Sequence, residues 1–201
     1  MEIRYDDPIS GDELAALTKK DAIIMAKILY DVRIETLDPN TPAYQNTHIV
    51  NYVNECMRYL SMPEPFLIRA YDETTCVAFR FVYPAKYLTV VNLKKRADIE
   101  KYGHIRDWYI EQGLDFDKGV SAFFGIHKDY NGQGIGTKIR NLCNEEAKRR
   151  GYEWILVTGI DSKSRWDWTI NYYKRNGYQG VMSDISVPTE LGYGKFCYYK
   201  L

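Results

Sequence analysis

The sequence predicts an α/β domain, a β-sheet with helices packed on it, and three stretches carry that prediction. Two β-rich runs flank a short polar turn between residues 66 and 83. A strand passes directly into a glycine-rich turn and an amphipathic helix between 120 and 150. Helix and strand then alternate to residue 201.

Taken in order, Ser10 with Glu13 and Thr18 with Asp21 resemble helix starts. Ile24, Ile28 and their apolar neighbours recur at helical spacing through Val32, so the first part is helical, with a break expected near Thr18. A helix from Thr47 to Leu60 places Val50, Val53, Met57 and Leu60 on one face before Pro63 and Pro65 stop it. Phe66 to Tyr71 and Cys76 to Tyr83 flank Asp72-Glu73-Thr74 and read as an antiparallel hairpin. Between Pro84 and Lys118, the positions Ile99, Tyr102, Ile105 or Arg106, and Tyr109 suggest an amphipathic helix interrupted at Gly103. Val120 to Ile126 reads as a buried strand, Ile135 to Arg150 as a helix and Trp154 to Ile160 as a strand. Arg165 to Arg175 reads as a helix and Lys195 to Leu201 as a final aromatic strand.

With 201 residues, 45% hydrophobic and 27% charged, the chain is long enough for a substantial core, and nothing in it resembles a repeat or a linker. A single domain over 1–201 is the expectation. Basic and acidic residues both number 27, so no net field draws nucleic acid or an anionic membrane, and neither is expected as a partner. The start Met1-Glu2-Ile3-Arg4 lacks the basic-then-apolar order of a secretory signal, and the most apolar stretch, Ala22 to Leu29, is interrupted by Lys27. A cytoplasmic protein is expected. Cys56, Cys76, Cys143 and Cys197 are scattered with no Cys-x-x-Cys pair, which suits buried reduced thiols, and no metal centre is expected.

The chemistry is concentrated in Asn131-Gly132-Gln133-Gly134-Ile135-Gly136-Thr137. Ile135, Ile139, Leu142, Cys143 and Ala147 make the apolar stripe of the helix that follows, and Gly151 suits its C-terminal cap. The first turn of a helix leaves about four backbone N–H groups unpaired and carries roughly half a positive charge, which favours a phosphate. Glycines let an anion approach those donors because no Cβ stands in the way. A nucleotide P-loop would need Gly-Lys followed by Ser or Thr, whereas Gly136 is followed by Thr137-Lys138. A dinucleotide fold would place the third glycine one position later and the turn near the start of the fold.

Ile126 through Gly136 resembles the acetyl-CoA signature of the GNAT superfamily, Gln/Arg-x-x-Gly-x-Gly/Ala after a strand ending in Val-x-Pro. Asn131 stands in place of the Gln or Arg and Lys128 in place of the proline. Downstream, Asn171-Tyr172-Tyr173-Lys174-Arg175-Asn176-Gly177-Tyr178 is similar to the family's aromatic-Tyr-x-x-x-Gly-aromatic segment. Trp166 and Thr169 stand where family members often carry Asn and Ala.

The resemblance implies a central mixed, mostly antiparallel twisted sheet of about six to seven strands flanked by helices, with 84–118 as a family-variable insertion. It implies acetyl-CoA as co-substrate, direct attack of an amine on the thioester, and Tyr173 as the acid facing the sulfur. Asn131, Gly132, Gln133, Gly134, Gly136 and Thr137 would hold the diphosphate, with Phe124 and Ile126 along the pantetheine arm. The acceptor is an amine of unidentified structure, a small molecule ahead of a protein, and a homodimer stays open. His127, Asp117, Asp161 and Glu35 are eligible as general base by residue type, and none is assigned. A non-catalytic CoA-binding sensor on the same fold is the rival reading, and an unrelated nucleotide-binding α/β protein is a third.

Overall fold

The computed structural model describes residues 2–36, 39–40, 42–45, 47–89, 91–160, 163–189 and 192–201. In chain order these residues form β1 (Ile3–Tyr5), β2 (Ile9–Ser10), α1 (Gly11–Ala15), α2 (Lys19–Thr36), α3 (Pro42–Gln45), α4 (Ile49–Leu60), β3 (Phe66–Asp72) and β4 (Thr75–Pro84). There follow α5 (Arg96–Glu111), β5 (Gly119–Ile126), α6 (Ile135–Arg149), β6 (Trp154–Ile160), α7 (Lys163–Arg175), β7 (Gly180–Thr189) and β8 (Gly192–Lys200). They group into two compact units, Met1–Tyr83 with Phe123–Glu146, and Pro84–Ala122 with Ala147–Leu201. Strand β5 contributes its first half to the second unit and its second half to the first.

In the first unit the strand order is β1-β3-β4-β5, with β2 also paired to β3. The hairpin of β3 and β4 forms where the β-rich runs place it, with Ile68 opposite Arg80 and Ala70 opposite Ala78. The chain breaks before α2 as Thr18 and Asp21 predict. The Thr18 N–H and hydroxyl both donate to Asp21 Oδ2, at 2.8 and 2.9 Å, and Lys20 N–H donates to Thr18 Oγ1 at 3.2 Å, a reciprocal cap of the first turn. Arg69 on β3 adds a bond to Asp21 Oδ1 at 3.4 Å, anchoring that cap to the sheet. Helix α2 buries Ala22, Met25, Ala26 and Ile28 and leaves Ile23 and Ile24 partly in solvent.

The inward face of α4 differs from the expected one. Cys56 and Tyr59 are buried, while Val50 and Met57 are exposed. Tyr59 turns this face inward because its ring stacks on Phe123 at 4.5 Å and meets Tyr83 at 5.2 Å, an aromatic contact area larger than Val50 or Met57 supplies.

In the second unit the order is β5-β6-β8-β7. The pairing of β5 with β6 is parallel, and β6 with β8 and β7 with β8 are antiparallel. The sheet is thus mixed, mostly antiparallel and flanked by helices. Eight strands appear among the described residues, against the six to seven expected, because the short β1 and β2 and the polar β7 add to it. Ala85, Ile105, Tyr109, Trp154, Leu156, Val187, Phe196 and Tyr198 form the core of this unit. Among them a large aliphatic or phenylalanine side chain fully removed from water contributes about 1.5 to 3 kcal/mol. Helix α5 runs unbroken through Gly103, which is buried, so the expected interruption is absent; Ile105 and Tyr109 face inward while Ile99 stays exposed. Among the described residues no helix is long and apolar enough to cross a membrane.

Candidate functional site

Strand β5 delivers the chain into the glycine turn. Phe124 and Ile126 are half-buried on one face, and Gly125 between them is buried, with room for no side chain: a Cβ there would meet the Phe79 ring at 2.7 Å. The His127 N–H donates to the Val77 carbonyl at 2.7 Å, continuing the contact with β4 one residue past the strand. Residues Lys128–Tyr130 then make one 3₁₀ turn. Its hydrogen bonds are local. Asp129 N–H donates to His127 Nδ1 at 3.4 Å, and Gln133 Nε2 donates to the Asp129 carbonyl at 3.0 Å. Tyr130 reaches further, its hydroxyl donating to Asp72 Oδ2 at 2.7 Å.

Gly132 and Gly134 have φ of +77° and +79°, and no atom lies within 4 Å of a Cβ built on either. Only glycine enters that region without strain, so the sequence pattern is a backbone requirement. The ladder of α6 begins with Lys138 N–H donating to the Gly134 carbonyl at 3.0 Å. Ahead of it, among the described residues, no acceptor takes the N–H groups of Gly132, Gln133, Gly134, Ile135, Gly136 or Thr137. No acidic residue stands in the first turn of α6, so the positive end of the helix dipole is not compensated from within the helix.

Gly136 has a different reason to be small. A Cβ at this position would lie 3.3 Å from the end of the Phe124 ring, so its hydrogen lets the helix settle onto β5. Arg140 lies one turn on, its guanidinium carbon 5.4 Å from the centre of the same ring. Ile135, Ile139, Cys143 and Ala147 are buried as the stripe predicts, and Leu142 is half-buried. The helix ends as expected, with Gly151 N–H donating to the Lys148 carbonyl at 2.9 Å and Tyr152 N–H to the Ala147 carbonyl at 3.0 Å.

Sequence reasoning missed the residue that fixes α6 to the sheet. Arg80, 2% exposed in the middle of β4, donates through Nη1 to the Arg140 carbonyl at 3.2 Å and to Asn144 Oδ1 at 3.3 Å. A buried guanidinium requires such acceptors. The available signal was a lone cation inside the run Cys76 to Tyr83, where nothing else is charged.

Tyr173 lies in the second unit, on the last turn of α7. Its side chain is 0% exposed. The ring stacks on Tyr199 of β8 with centroids 4.0 Å apart and planes 11° from parallel, and it meets the edges of Tyr172 and Tyr178 at 4.9 and 5.4 Å. The Tyr-x-x-x-Gly spacing has a local cause. Tyr178 N–H donates to the Tyr173 carbonyl at 3.0 Å and Gly177 N–H to the Lys174 carbonyl at 3.1 Å, closing the helix around Gly177 at φ +76°.

Of the groups eligible as general base, Asp117 is largely exposed and pairs with Lys86 at 3.1 Å, and His127 is occupied as above. Asp161 and the side chains of Glu35 and Trp166 lie outside the described residues. Among the described residues no three His, Cys, Asp or Glu side chains converge as a metal-binding group.

No family model matches the sequence, and no curated protein does. Solved structures match along the whole chain. An N-acetyltransferase from Staphylococcus aureus Mu50 superposes with a TM-score of 0.59 at 11% identity, over 100% of this chain and 98% of the other. The acetyltransferase of the GNAT family from Streptococcus pneumoniae gives 0.56 at 12% identity, covering both chains in full at 100%. The structure of yncA from Salmonella typhimurium with its cofactor acetyl-CoA gives 0.59 at 10% identity, over 99% of this chain and 92% of the other. The element order, the mixed sheet and these superpositions together establish that this chain has the fold of the GNAT-family acetyltransferases.

Proposed function

We propose that the chain transfers an acetyl group from acetyl-CoA to a primary amine by direct attack on the thioester. The observation that carries this reading is the run of N–H groups from Gly132 to Thr137 that no acceptor among the described residues takes, at the start of a helix with no acid in its first turn. Two consecutive phosphates fit such a run, since each N–H can donate to an oxygen and the helix dipole adds to the attraction. Asn131, Gly132, Gln133, Gly134, Gly136 and Thr137 would hold the diphosphate, and Phe124 and Ile126 would lie along the pantetheine arm.

The thioester supplies the acyl group. The amine nitrogen forms the new C–N bond as the C–S bond breaks, the Tyr173 hydroxyl gives its proton to the departing sulfur and regains one from water, and the amine releases one proton to water.

The complete enclosure of the Tyr173 ring favours a second reading, in which the fold binds CoA without turnover. One experiment separates the two. Acetyl-CoA is incubated with the protein and a panel of small amines while free CoA thiol is measured, beside thermal scans with CoA, ATP and NAD. Stabilisation by CoA alone, with thiol release in the presence of an amine, supports transfer. Stabilisation by CoA with no release against any amine supports the sensor. Stabilisation by ATP or NAD instead sinks both.

A further inference from the structure

We infer that Tyr199 is a positioning residue: its ring clamps Tyr173 face to face and fixes the plane of the Tyr173 ring, and with it the plane in which the phenolic O–H lies. This rests on the reading of Tyr173 as the acid and adds a residue that neither the glycine signature nor the Tyr-x-x-x-Gly segment contains.

A tyrosine ring turns about two bonds, and a proton donor that samples several directions spends little time aimed at its acceptor. Tyr173 is confined on every side that the structure records. Tyr199 covers one face at 4.0 Å and 11°, while Tyr172 and Tyr178 stand at its edges at 82° and 79°. Tyr172 and Tyr178 are neighbours on the same helix end and would move with it. Tyr199 comes from a different element and is the contact that refers Tyr173 to the sheet.

Tyr199 is itself held. Strand β8 is paired on both sides, with Tyr199 opposite Ile155 of β6 and Gly180 of β7. A Cβ at position 180 would fall 2.3 Å from the Tyr199 ring, so the ring lies over a residue that must be glycine. Burial, first, with the nearby Cys197 and Tyr173 side chains pushes the Tyr199 phenol well above its ordinary range. It therefore stays protonated at any working pH. Gly180, Tyr199 and Tyr173 form a chain of contacts from the sheet edge to the hydroxyl.

The test has an arm that needs no acceptor. In protein labelled with ¹³C-tyrosine, the Tyr173 ring signals are assigned by their loss in Tyr173→Phe, and the ring-flip rate is measured by NMR. Tyr199→Leu should speed flipping at least about tenfold while circular dichroism is unchanged, and Tyr199→Phe, which keeps the aromatic face, should restore the slow rate. Where Tyr199→Leu does not fold, Gly180→Ala displaces the same ring and takes its place; loss of fold in both overturns the proposal. An unchanged flip rate in a folded variant also overturns it.

In the second arm, Tyr199→Leu should lower kcat about tenfold to a hundredfold with the acetyl-CoA KM unchanged, Tyr199→Phe should recover it, and Tyr199→Leu should cost nothing further in a Tyr173→Phe background. If Tyr173→Phe leaves kcat intact, the acid assignment fails whatever the flip rates show. If Tyr173→Phe lowers kcat while Tyr199→Leu does not, the positioning role alone fails.

Discussion

The Tyr130 hydroxyl donates to Asp72 Oδ2 across 2.7 Å, so the residue just before the glycine turn is tied to the bend of the β3–β4 hairpin. The bond is independent of the helix that follows, and it fixes where the turn begins. Tyr130→Phe removes it while keeping the ring beside His127. Acetyl-CoA should then bind about threefold to tenfold more weakly, as for the loss of one charge-assisted hydrogen bond, with the unfolding temperature nearly unchanged. Calorimetric titration of acetyl-CoA checks this, and an unaltered affinity would show that the turn holds its shape without Asp72.

Gly134 and Gly136 separate two uses of glycine within one motif. At Gly134 a side chain meets empty space but a backbone at φ +79°, so Gly134→Ala should cost about 1 to 2 kcal/mol of stability and weaken acetyl-CoA about tenfold. At Gly136 the backbone tolerates alanine, which is better than glycine in a helix by about 1 kcal/mol, but the new Cβ presses on Phe124 at 3.3 Å. Gly136→Ala should therefore leave stability near the parent value while weakening binding through the displaced ring. Urea unfolding and acetyl-CoA titration of the pair would expose the contrast; equal stability losses would contradict it.

Much of this region is legible in the sequence because a strand, a φ-demanding turn and a 3.6-residue stripe follow one another without interruption. Helix α4 is less so, since apolar residues lie on more than one side and period alone cannot choose between Val50 with Met57 and Cys56 with Tyr59. Strand β7 escapes for another reason. It lies at the sheet edge, where Ser183, Asp184, Ser186 and Pro188 are tolerated and the alternation that marks a strand is lost. The partners of Arg80 and Tyr199 depend on register between distant segments, which no local pattern encodes.

Tyr173→Phe tests the proposed acid directly. Stacking on Tyr199 uses the ring and not the hydroxyl, so phenylalanine should keep the packing and the fold. The expected result is a kcat lower by about 10² to 10⁴-fold with acetyl-CoA affinity retained. Steady-state kinetics with the best amine of the panel measures the first and calorimetry the second. Undiminished turnover would remove Tyr173 from the chemistry.

Asp21 makes the stability of the first unit depend on acid. Burial raises its pKa, but the two bonds from Thr18 and the charge of Arg69 outweigh that, and the net shift is downward. A carboxyl with a depressed folded pKa contributes stability that is whole above its unfolded value of about 3.9 and is lost as pH falls through the lower folded value. Asp21→Asn should destabilise the protein at pH 7 by about 1 kcal/mol, the usual worth of a helix cap, and the gap from the parent should close below about pH 4. Urea titrations at a series of pH values give the gap, and one that stays constant into acid would mean that Asp21 is not ionised in the fold.

The four thiols should be silent in the folded protein. Cys56, Cys143 and Cys197 are buried, and burial above all pushes each to about 12; Cys76 is half-buried and burial pushes it to about 11, although Arg69 pulls the other way. At Cys143 the neighbouring Arg80 and Arg140 also favour the thiolate without overcoming desolvation. The thiolate is the reactive form, so at pH 8 each of these groups is overwhelmingly protonated. A chromogenic disulfide reagent added to native protein should show no rapid phase, and the same protein in denaturant should release the full colour of four thiols. A fast equivalent in the native protein would identify a cysteine more exposed or more acidic than the packing allows. Its absence has a practical consequence, because free CoA released in the proposed transfer can then be followed with the same reagent in the presence of the protein.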